Sequence, residues 1–255
     1  MCMKNIVLLI AVIFGIWIGV DAQNKNGKTP PVNSPTSTQE VKNGQAEPAK
    51  PITNILGDHY VKKYAIASRW SDYDVAKDAL YDLITEYSGN DSLIFALALF
   101  YYENQKYPSC ALVCKDLLAR NPKNPSALEL SGISYENLNI KDRALQNFES
   151  LFLLTNNNST LYKMAALQFE LKRYQEAMTN ADILLTKPEV ETMKVVFNDT
   201  ETKTKEYALK AALFNLKGMV FKAQADNVSA KKFFEEALKV EPEFPAAKLN
   251  LAALK

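Results

Sequence analysis

The amino-acid sequence predicts a nearly all-α protein built from helical hairpins, and two observations lead to this fold class. Glycine makes up only 8 of the 255 residues, roughly half its usual share of about 7%, while helix-favouring residues such as Ala, Leu, Lys and Glu are common. In addition, similar pairs of amphipathic segments recur at a spacing of 33 to 34 residues. A fixed period of this length is typical of helical repeat architectures.

The first 22 residues have the order of a secretory signal. Lys4 precedes an uninterrupted apolar run from Ile6 to Val20, and the small residue Ala22 follows. The sequence therefore predicts a signal peptide at residues 1–22 that is cleaved after Ala22. The alternative is an uncleaved N-terminal anchor, although this apolar run is shorter than the about 20 residues that a membrane span needs.

Residues 23–53 are rich in Pro, Asn, Gln, Ser and Thr and contain almost no apolar side chains. Such a segment cannot bury enough surface to offset the entropy lost on ordering. We therefore expect a disordered tether, followed by a folded domain at residues 54–255. A flexible chain of this length spans on the order of 30 Å, so an anchored form would hold its domain a short distance from the membrane.

Five segments share one frame of residue types at offsets 0, 3, 7, 10 and 15. In one copy the frame residues are Tyr107, Cys110, Cys114, Leu117 and Pro122. The other copies begin at Tyr73, Lys141, Tyr174 and Asn227. A second helical pattern precedes each frame, and in four copies it carries a small residue where two helices would cross, namely Ala98, Gly132, Ala165 and Gly218. Tyr64 holds that position in the first copy, which departs most from the pattern, as suits a terminal repeat with one uncovered face.

This pattern resembles the tetratricopeptide repeat (TPR) family, in which a bulky residue, Leu-Gly and Tyr precede Ala, an aromatic residue, Ala and a closing Pro. The resemblance covers about residues 57–255, and its clearest copies read "LELSGISYENLNIKDRALQNFESLF" and "FNLKGMVFKAQADNVSAKKFFEEALKVEPEF". It implies a right-handed α-solenoid of about five helical hairpins and a C-terminal capping helix. The expected repeats lie near residues 57–90, 91–124, 125–157, 158–190 and 211–244, and the capping helix lies at 245–255.

An insertion at about residues 191–210 interrupts the period. Val195, Val196 and Phe197 are followed by Asn198-Asp199 and then by alternating Thr and Lys. This pattern favours a short β-hairpin, and an irregular loop is the alternative. Insertions in repeat proteins often lie at a binding face.

The inventory of reactive residues gives little support for catalysis or metal binding. His59 is the only histidine and stands about fifty residues from either cysteine of the repeat frame, so no nucleophile pair is indicated. Cys110 and Cys114 form one close pair, whereas a zinc site typically needs two, and their helical spacing suits a disulfide poorly. We expect the two thiols to pack in the core. The sequence thus predicts a protein that is not an enzyme and uses no metal or cofactor.

The charge balance argues against several classes of partner. Thirty Lys and Arg residues face 29 Asp and Glu residues, so no overall field attracts nucleic acid. Glycine-rich phosphate-binding loops are absent from the sequence, and no small-molecule substrate is expected. Contact with a membrane is expected only through the N-terminal segment.

The TPR resemblance also implies a binding surface, since certain positions of each repeat in this family line a concave groove. The corresponding residues are Phe95, Leu99, Tyr102, Glu103, Glu129, Ile133, Glu136, Tyr162, Phe169, Met219 and Lys222. This surface is apolar and aromatic with an acidic fringe, so we expect it to bind a peptide or protein segment with apolar side chains and a basic residue. Val61 and Ala65 stand where chaperone-binding TPR domains carry a carboxylate clamp, and that function is not implied.

Together these features predict a non-catalytic scaffold or adaptor for protein–protein interactions. Its exported N-terminus and tether resemble those of periplasmic TPR adaptors of the bacterial envelope, and the alternative location is the inner membrane, anchored by residues 6–20. The alternative function is a self-associating structural component of an envelope or secretion complex. In that case the apolar first repeat or the terminal helix would be buried in a homo-oligomer.

Overall fold

A computed structural model describes residues 52–200 and 203–254 of the chain. The predicted signal peptide and nearly all of the predicted tether lie outside the described residues. Residues 52 and 53 belong to the first helix. Within the described residues, no helix is long and apolar enough to cross a membrane.

Most of the described chain consists of α-helices that form hairpins. The helices are α1 (Ile52–Arg69), α2 (Tyr73–Glu86), α3 (Asp91–Glu103), α4 (Tyr107–Arg120), α5 (Pro125–Asn137), α6 (Lys141–Thr155), α7 (Asn158–Glu170), α8 (Tyr174–Leu185), α9 (Leu209–Ala223), α10 (Asn227–Val240) and α11 (Pro245–Ala252). A 3-10 helix (Pro188–Glu191) and two strands, β1 (Lys194–Thr200) and β2 (Lys203–Ala208), lie between α8 and α9. The predicted fold class, an all-α helical repeat, is confirmed.

The chain divides into two compact units, and the boundary falls after Leu97 within α3. In the first unit, α1 packs against α2 and buries Tyr64. The ammonium group of Lys63 lies 2.5 Å from the carboxylate of Asp78 and 3.0 Å from that of Asp82. These ion pairs add to the apolar contacts that join the two helices, although pairs near the surface usually contribute less than about 1 kcal/mol.

In the second unit, each helix from α4 to α10 packs against the next one along the chain. The buried residues follow the helical spacing of the repeat frame, as in Ala144, Phe148 and Leu151 of α6. Small residues let neighbouring helices approach closely. A Cβ atom added at Gly132 would lie 2.9 Å from the Phe148 ring, and one added at Gly218 would lie 2.5 Å from the Phe234 ring.

Every hairpin closes with the same turn, although the turn sequences differ. One residue adopts the left-handed conformation, with φ between 57° and 63°, two places before the second helix begins. These residues are Ser71, Gln105, Asn139, Lys172 and Ala225. The next backbone N–H then donates to the carbonyl oxygen five residues earlier, as from Asp72 to Ala67 at 2.8 Å and from Asp226 to Phe221 at 3.0 Å. Such a bond satisfies a free carbonyl at the helix end, so the hairpins share local geometry as well as sequence period.

The insertion forms a β-hairpin, the first of the two alternatives that its sequence left open. β1 pairs with β2 in an antiparallel register that places Val195 opposite Tyr207 and Phe197 opposite Lys205. At its base, the N–H of Leu209 donates to the carbonyl oxygen of Met193 at 2.9 Å. Tyr207 is buried and Phe197 is half-buried, whereas Val196 is 63% exposed. One face of the hairpin therefore packs against the helices, as the two-residue periodicity of strands requires.

Three aromatic rings attach the hairpin to the link between α10 and α11. The ring centroid of Phe244 lies 4.9 Å from that of Phe197 and 5.1 Å from that of Tyr207. Phe244 is fully buried. Close edge and tilted contacts of this kind are favourable beyond the area that they bury, so Phe244 joins the insertion, α10 and α11 into one packed structure.

Candidate functional site

The predicted groove residues lie on the first helices of the last four hairpins, which are α3, α5, α7 and α9. Phe95 belongs to the first unit and is half-buried; the others belong to the second unit. In the second unit, Leu99, Tyr102, Ile133, Glu136, Tyr162, Phe169, Met219 and Lys222 are half-buried, and Glu103 and Glu129 are exposed. A side chain that binds a partner must be at least partly exposed. Whether its exposed part is accessible to a partner depends on the residues that pack around it.

On α3, Leu99 and Tyr102 keep partly exposed side chains while Ala98 and Phe100 are buried. The ring centroid of Tyr102 lies 5.9 Å from that of Tyr107 on α4. Burial raises the pKa of Tyr102 above its usual value, so its hydroxyl group stays protonated and can donate a hydrogen bond. The exposed parts of Leu99 and Tyr102 thus offer an apolar surface with one polar atom.

A pocket of about 320 Å3 lies between α5 and α7, above α6. Two predicted groove residues, Glu129 and Ile133, line it. The remaining lining residues are Pro125, Ser126, Phe148, Leu151, Thr155, Asn157, Ser159, Thr160 and Lys163. Its floor is apolar and its rim is polar, which is the usual composition of a ligand site.

Charged side chains at this pocket differ in how fully they are paired. The ammonium group of Lys163 lies 2.9 Å from the carboxylate of Glu136 and 5.2 Å from the centre of the Phe148 ring. Glu129 makes no ion pair within the described part of the chain and is exposed. The pocket therefore presents one neutralised cation and one free carboxylate.

Tyr162 on α7 is engaged in internal packing rather than left open. Its side chain packs against the apolar cluster that contains Phe148 and Leu161, and also against the cluster that contains Tyr207 and Phe244. Burial raises the pKa of Tyr162 to about 12. Because the second cluster includes the inner face of the β-hairpin, the hairpin limits how far an open groove extends past α7.

The inward face of α9 is also covered. The Nδ2 group of Asn250 on α11 donates to Oδ1 of Asn215 at 3.0 Å, and Nδ2 of Asn215 donates to the sulfur of Met219 at 3.4 Å. Asn215 is consequently buried. Helix α11 therefore contacts α9 at Asn215, whereas Leu99 of α3, Ile133 of α5 and Phe169 of α7 keep half-buried side chains.

Sequence reasoning missed Lys163 and Phe148 as residues of this site. Phe148 belongs to the repeat frame, which predicts a core position, yet its ring also forms part of the pocket floor. Lys163 directly follows the groove position Tyr162 on α7, and its ammonium group lies 2.9 Å from the carboxylate of Glu136. The repeat pattern carries no signal for this pair, because Glu136 is the twelfth residue of α5 whereas Lys163 is the sixth residue of α7.

The His, Cys, Asp and Glu side chains of residues 52–200 and 203–254 are the candidates for binding a metal ion. No group of three or more His, Cys, Asp or Glu residues there could hold a metal ion. Cys110 and Cys114 are free thiols, and both are fully buried on α4, which confirms the predicted packing role. The hydrogen bond with the Cys110 thiol and burial raise the pKa of Cys114, so it stays protonated and is a poor nucleophile or metal ligand at neutral pH. His59 is exposed on α1.

Comparison with known proteins identifies the fold. No protein-family model and no curated protein sequence matches the chain, whereas many solved structures resemble it. A tetratricopeptide repeat protein from Parabacteroides merdae ATCC 43184 has 16% sequence identity and a TM-score of 0.60, with 78% of this chain and 72% of that chain covered.

In two further solved structures, the matched region includes nearly the whole chain of the known protein. YrrB, described as a TPR protein with an unusual peptide-binding site, has 12% identity and a TM-score of 0.59, with 78% of this chain and 97% of that chain covered. MamA has 12% identity and a TM-score of 0.58, with 74% of this chain and 94% of that chain covered. Identities this low establish the fold alone: the chain is folded as a tetratricopeptide repeat protein, as its repeat frame predicts.

Proposed function

We propose that this chain is a non-catalytic scaffold that binds a peptide or protein segment along α3, α5 and α7. The observation that carries the proposal is the pocket between α5 and α7, with its apolar floor and polar rim. Half-buried Leu99, Tyr102 and Phe169 provide further apolar surface on the same set of helices. Partly exposed aromatic and aliphatic side chains beside a pocket are typical anchors for a bound segment. The peptide-binding site ascribed to YrrB, which has the same fold, is consistent with this use.

A peptide library provides a direct test of the groove. We expect a random dodecapeptide library, displayed on phage and selected on the full-length chain, to yield peptides whose affinity depends on Ile133. The Ile133→Ser change should weaken binding at least about tenfold, since it removes an apolar anchor from the pocket wall. Fluorescence anisotropy of the synthetic peptides measures this loss.

The control is Leu112→Ser on α4, because Leu112 is 63% exposed and lies outside the pocket. It should change affinity less than about twofold. Circular dichroism checks that each variant stays helical, and Tyr102→Ser provides a second groove variant in case Ile133→Ser lowers stability. Peptides that bind both groove variants as tightly as the unaltered chain would contradict the proposed site.

We further propose that the protein acts in the periplasm of a bacterial envelope. The charged start, apolar run and small residue of residues 1–22 support export. In the alternative form, residues 6–20 remain as an inner-membrane anchor. Cell fractionation with mass measurement of the N-terminus distinguishes the two forms, and recovery of the intact chain in the cytoplasm would rule out both.

The surface of the first unit favours self-association as a second candidate function. Ile55 and Ile66 on α1 are 50% and 45% exposed, and Trp70 is 75% exposed. Ile55 and Ile66 lie on one side of α1, since their spacing of eleven residues repeats the helical period. Trp70 follows directly after the last residue of this helix, and its N–H donates to the carbonyl oxygen of Ile66 at 3.1 Å. Terminal repeats of a helical array normally present a polar outer face. An apolar outer face on the first repeat therefore favours burial against a partner. A second copy of the chain would bury it.

Light scattering after size-exclusion chromatography tests this second candidate. We expect the mass of the full-length chain to rise from one copy to two as its concentration increases. The double change Ile66→Ser and Trp70→Ser should weaken the dimer at least about tenfold because it removes exposed apolar area. A mass of one copy at every concentration would exclude self-association through this surface.

A further inference from the structure

The pocket between α5 and α7 is rich in hydrogen-bond acceptors. The carboxylate of Glu129 and the hydroxyl oxygens of Ser126 and Thr155 line it. The Thr155 hydroxyl group already donates to the carbonyl oxygen of Leu151 at 2.9 Å, which leaves its oxygen lone pairs to accept. A ligand group with hydrogen-bond donors therefore finds several acceptors at this rim.

Two backbone donors in the first turn of α7 are already used within the chain. Oδ1 of Asn157 accepts hydrogen bonds from the backbone N–H groups of Ser159 at 2.8 Å and Thr160 at 3.2 Å. These are the groups through which a helix N-terminus usually attracts an anion. Because Asn157 caps them, the pocket does not offer that anion site.

The charged side chains at the pocket also favour a ligand group that donates hydrogen bonds. Lys163 is held by Glu136 and by the face of the Phe148 ring, so an entering anion would have to displace Glu136 and would then face Glu129. An entering cation meets the unpaired carboxylate of Glu129 and displaces no existing ion pair. Charge complementarity thus favours a cationic side chain.

We propose that this pocket binds an arginine side chain of the segment that the groove holds, an inference that rests on the proposed function. The aliphatic stem of the arginine packs on Ile133, Phe148 and Leu151, and its guanidinium group pairs with Glu129. A planar guanidinium carries five donors and can bind a carboxylate through two parallel hydrogen bonds. The pocket volume of about 320 Å3 lies at the lower end of the range for ligand sites, which suits one long side chain.

The first experiment uses N-acetyl-arginine-N-methylamide and its norleucine counterpart as probes. In a methyl NMR titration of the full-length chain, we expect the arginine probe to shift the Ile133 δ-methyl signal in a saturable manner. The Glu129→Gln change keeps the side-chain shape and should weaken this binding at least about fivefold, because the charge-assisted hydrogen bonds are lost. The norleucine probe should bind with the same affinity to both proteins.

Glu189→Gln is the matched control, since Glu189 is exposed on the 3-10 helix and does not line the pocket. It should alter the affinity for the arginine probe less than about twofold. Absence of an Ile133 shift, or an equal effect of Glu129→Gln on both probes, would overturn the arginine assignment.

Peptides separate this inference from the proposed function. In a selected peptide that contains arginine, replacing that arginine with glutamine should weaken binding about tenfold to the unaltered chain and less than about twofold to the Glu129→Gln variant. Peptides that require Ile133 but show no such coupling would leave the groove intact and refute the arginine pocket. Peptides that are insensitive to Ile133→Ser would refute the groove itself.

Discussion

Replacing Phe244 with Ala is expected to lower the free energy of unfolding by about 3–5 kcal/mol, the usual cost of deleting a buried phenylalanine ring. Phe244 is fully buried, and its ring packs at 4.9 Å from Phe197 and 5.1 Å from Tyr207. This residue links the β-hairpin to the start of α11. Urea unfolding followed by circular dichroism measures the loss.

The same substitution should also loosen the hairpin and α11 selectively. Without the Phe244 ring, the inner face of the hairpin loses its aromatic neighbour, and we expect faster amide hydrogen exchange in β2 and α11 than in α6 or α7. Val196→Ala is the control in the same hairpin, because Val196 is 63% exposed. It should change stability by less than about 0.5 kcal/mol. Equal effects of the two substitutions would show that Phe244 does not hold the insertion.

The helical framework could be predicted from the sequence because it depends on local periodicity. The repeat frame places one residue in three or four on the inward side of each return helix. Ala76, Leu80 and Leu83 of α2 are buried as this frame requires, and so are Cys110 and Cys114 of α4. The cysteine pair occupies frame positions that Ala144 and Phe148 fill in the third hairpin. Its spacing therefore reflects helix packing.

The candidate groove could be predicted only in part, because its open extent depends on contacts between distant segments. Two of the family positions, Glu129 and Ile133, line a pocket. The family positions do not reveal that Asn250 of α11 binds Asn215, or that Tyr162 packs against the cluster that includes Tyr207. The repeat pattern cannot predict these contacts, because the insertion and the terminal helix each occur once and have no equivalent in the other repeats. These contacts therefore involve residues of α7 and α9 that the repeat pattern alone leaves open.

Gly218→Ala is expected to destabilise the protein by about 1–3 kcal/mol, the usual cost of overpacking a core. A Cβ atom at this position would lie 2.5 Å from two carbon atoms of the Phe234 ring, and Phe234 is fully buried, so its ring or the helix backbone must shift. The sign of this prediction is informative. In an unconstrained helix the same change would stabilise by up to about 1 kcal/mol, because alanine favours helix more than glycine.

Alanine substitutions at Gly132 and Gly89 allow the expected losses of stability to be ranked. Gly132→Ala should cost less than Gly218→Ala, since its nearest approach is 2.9 Å from the tip of the Phe148 ring. Gly89→Ala should be nearly neutral because a Cβ atom there meets nothing within 4 Å. Thermal unfolding of the three variants measures the order, and Phe234→Leu in the Gly218→Ala background should recover part of the loss by removing the clash. If Gly218→Ala instead stabilises the protein, α9 and α10 cannot approach as closely as the Phe234 contact requires, and the small residue of the repeat frame would have no packing role in the fifth hairpin.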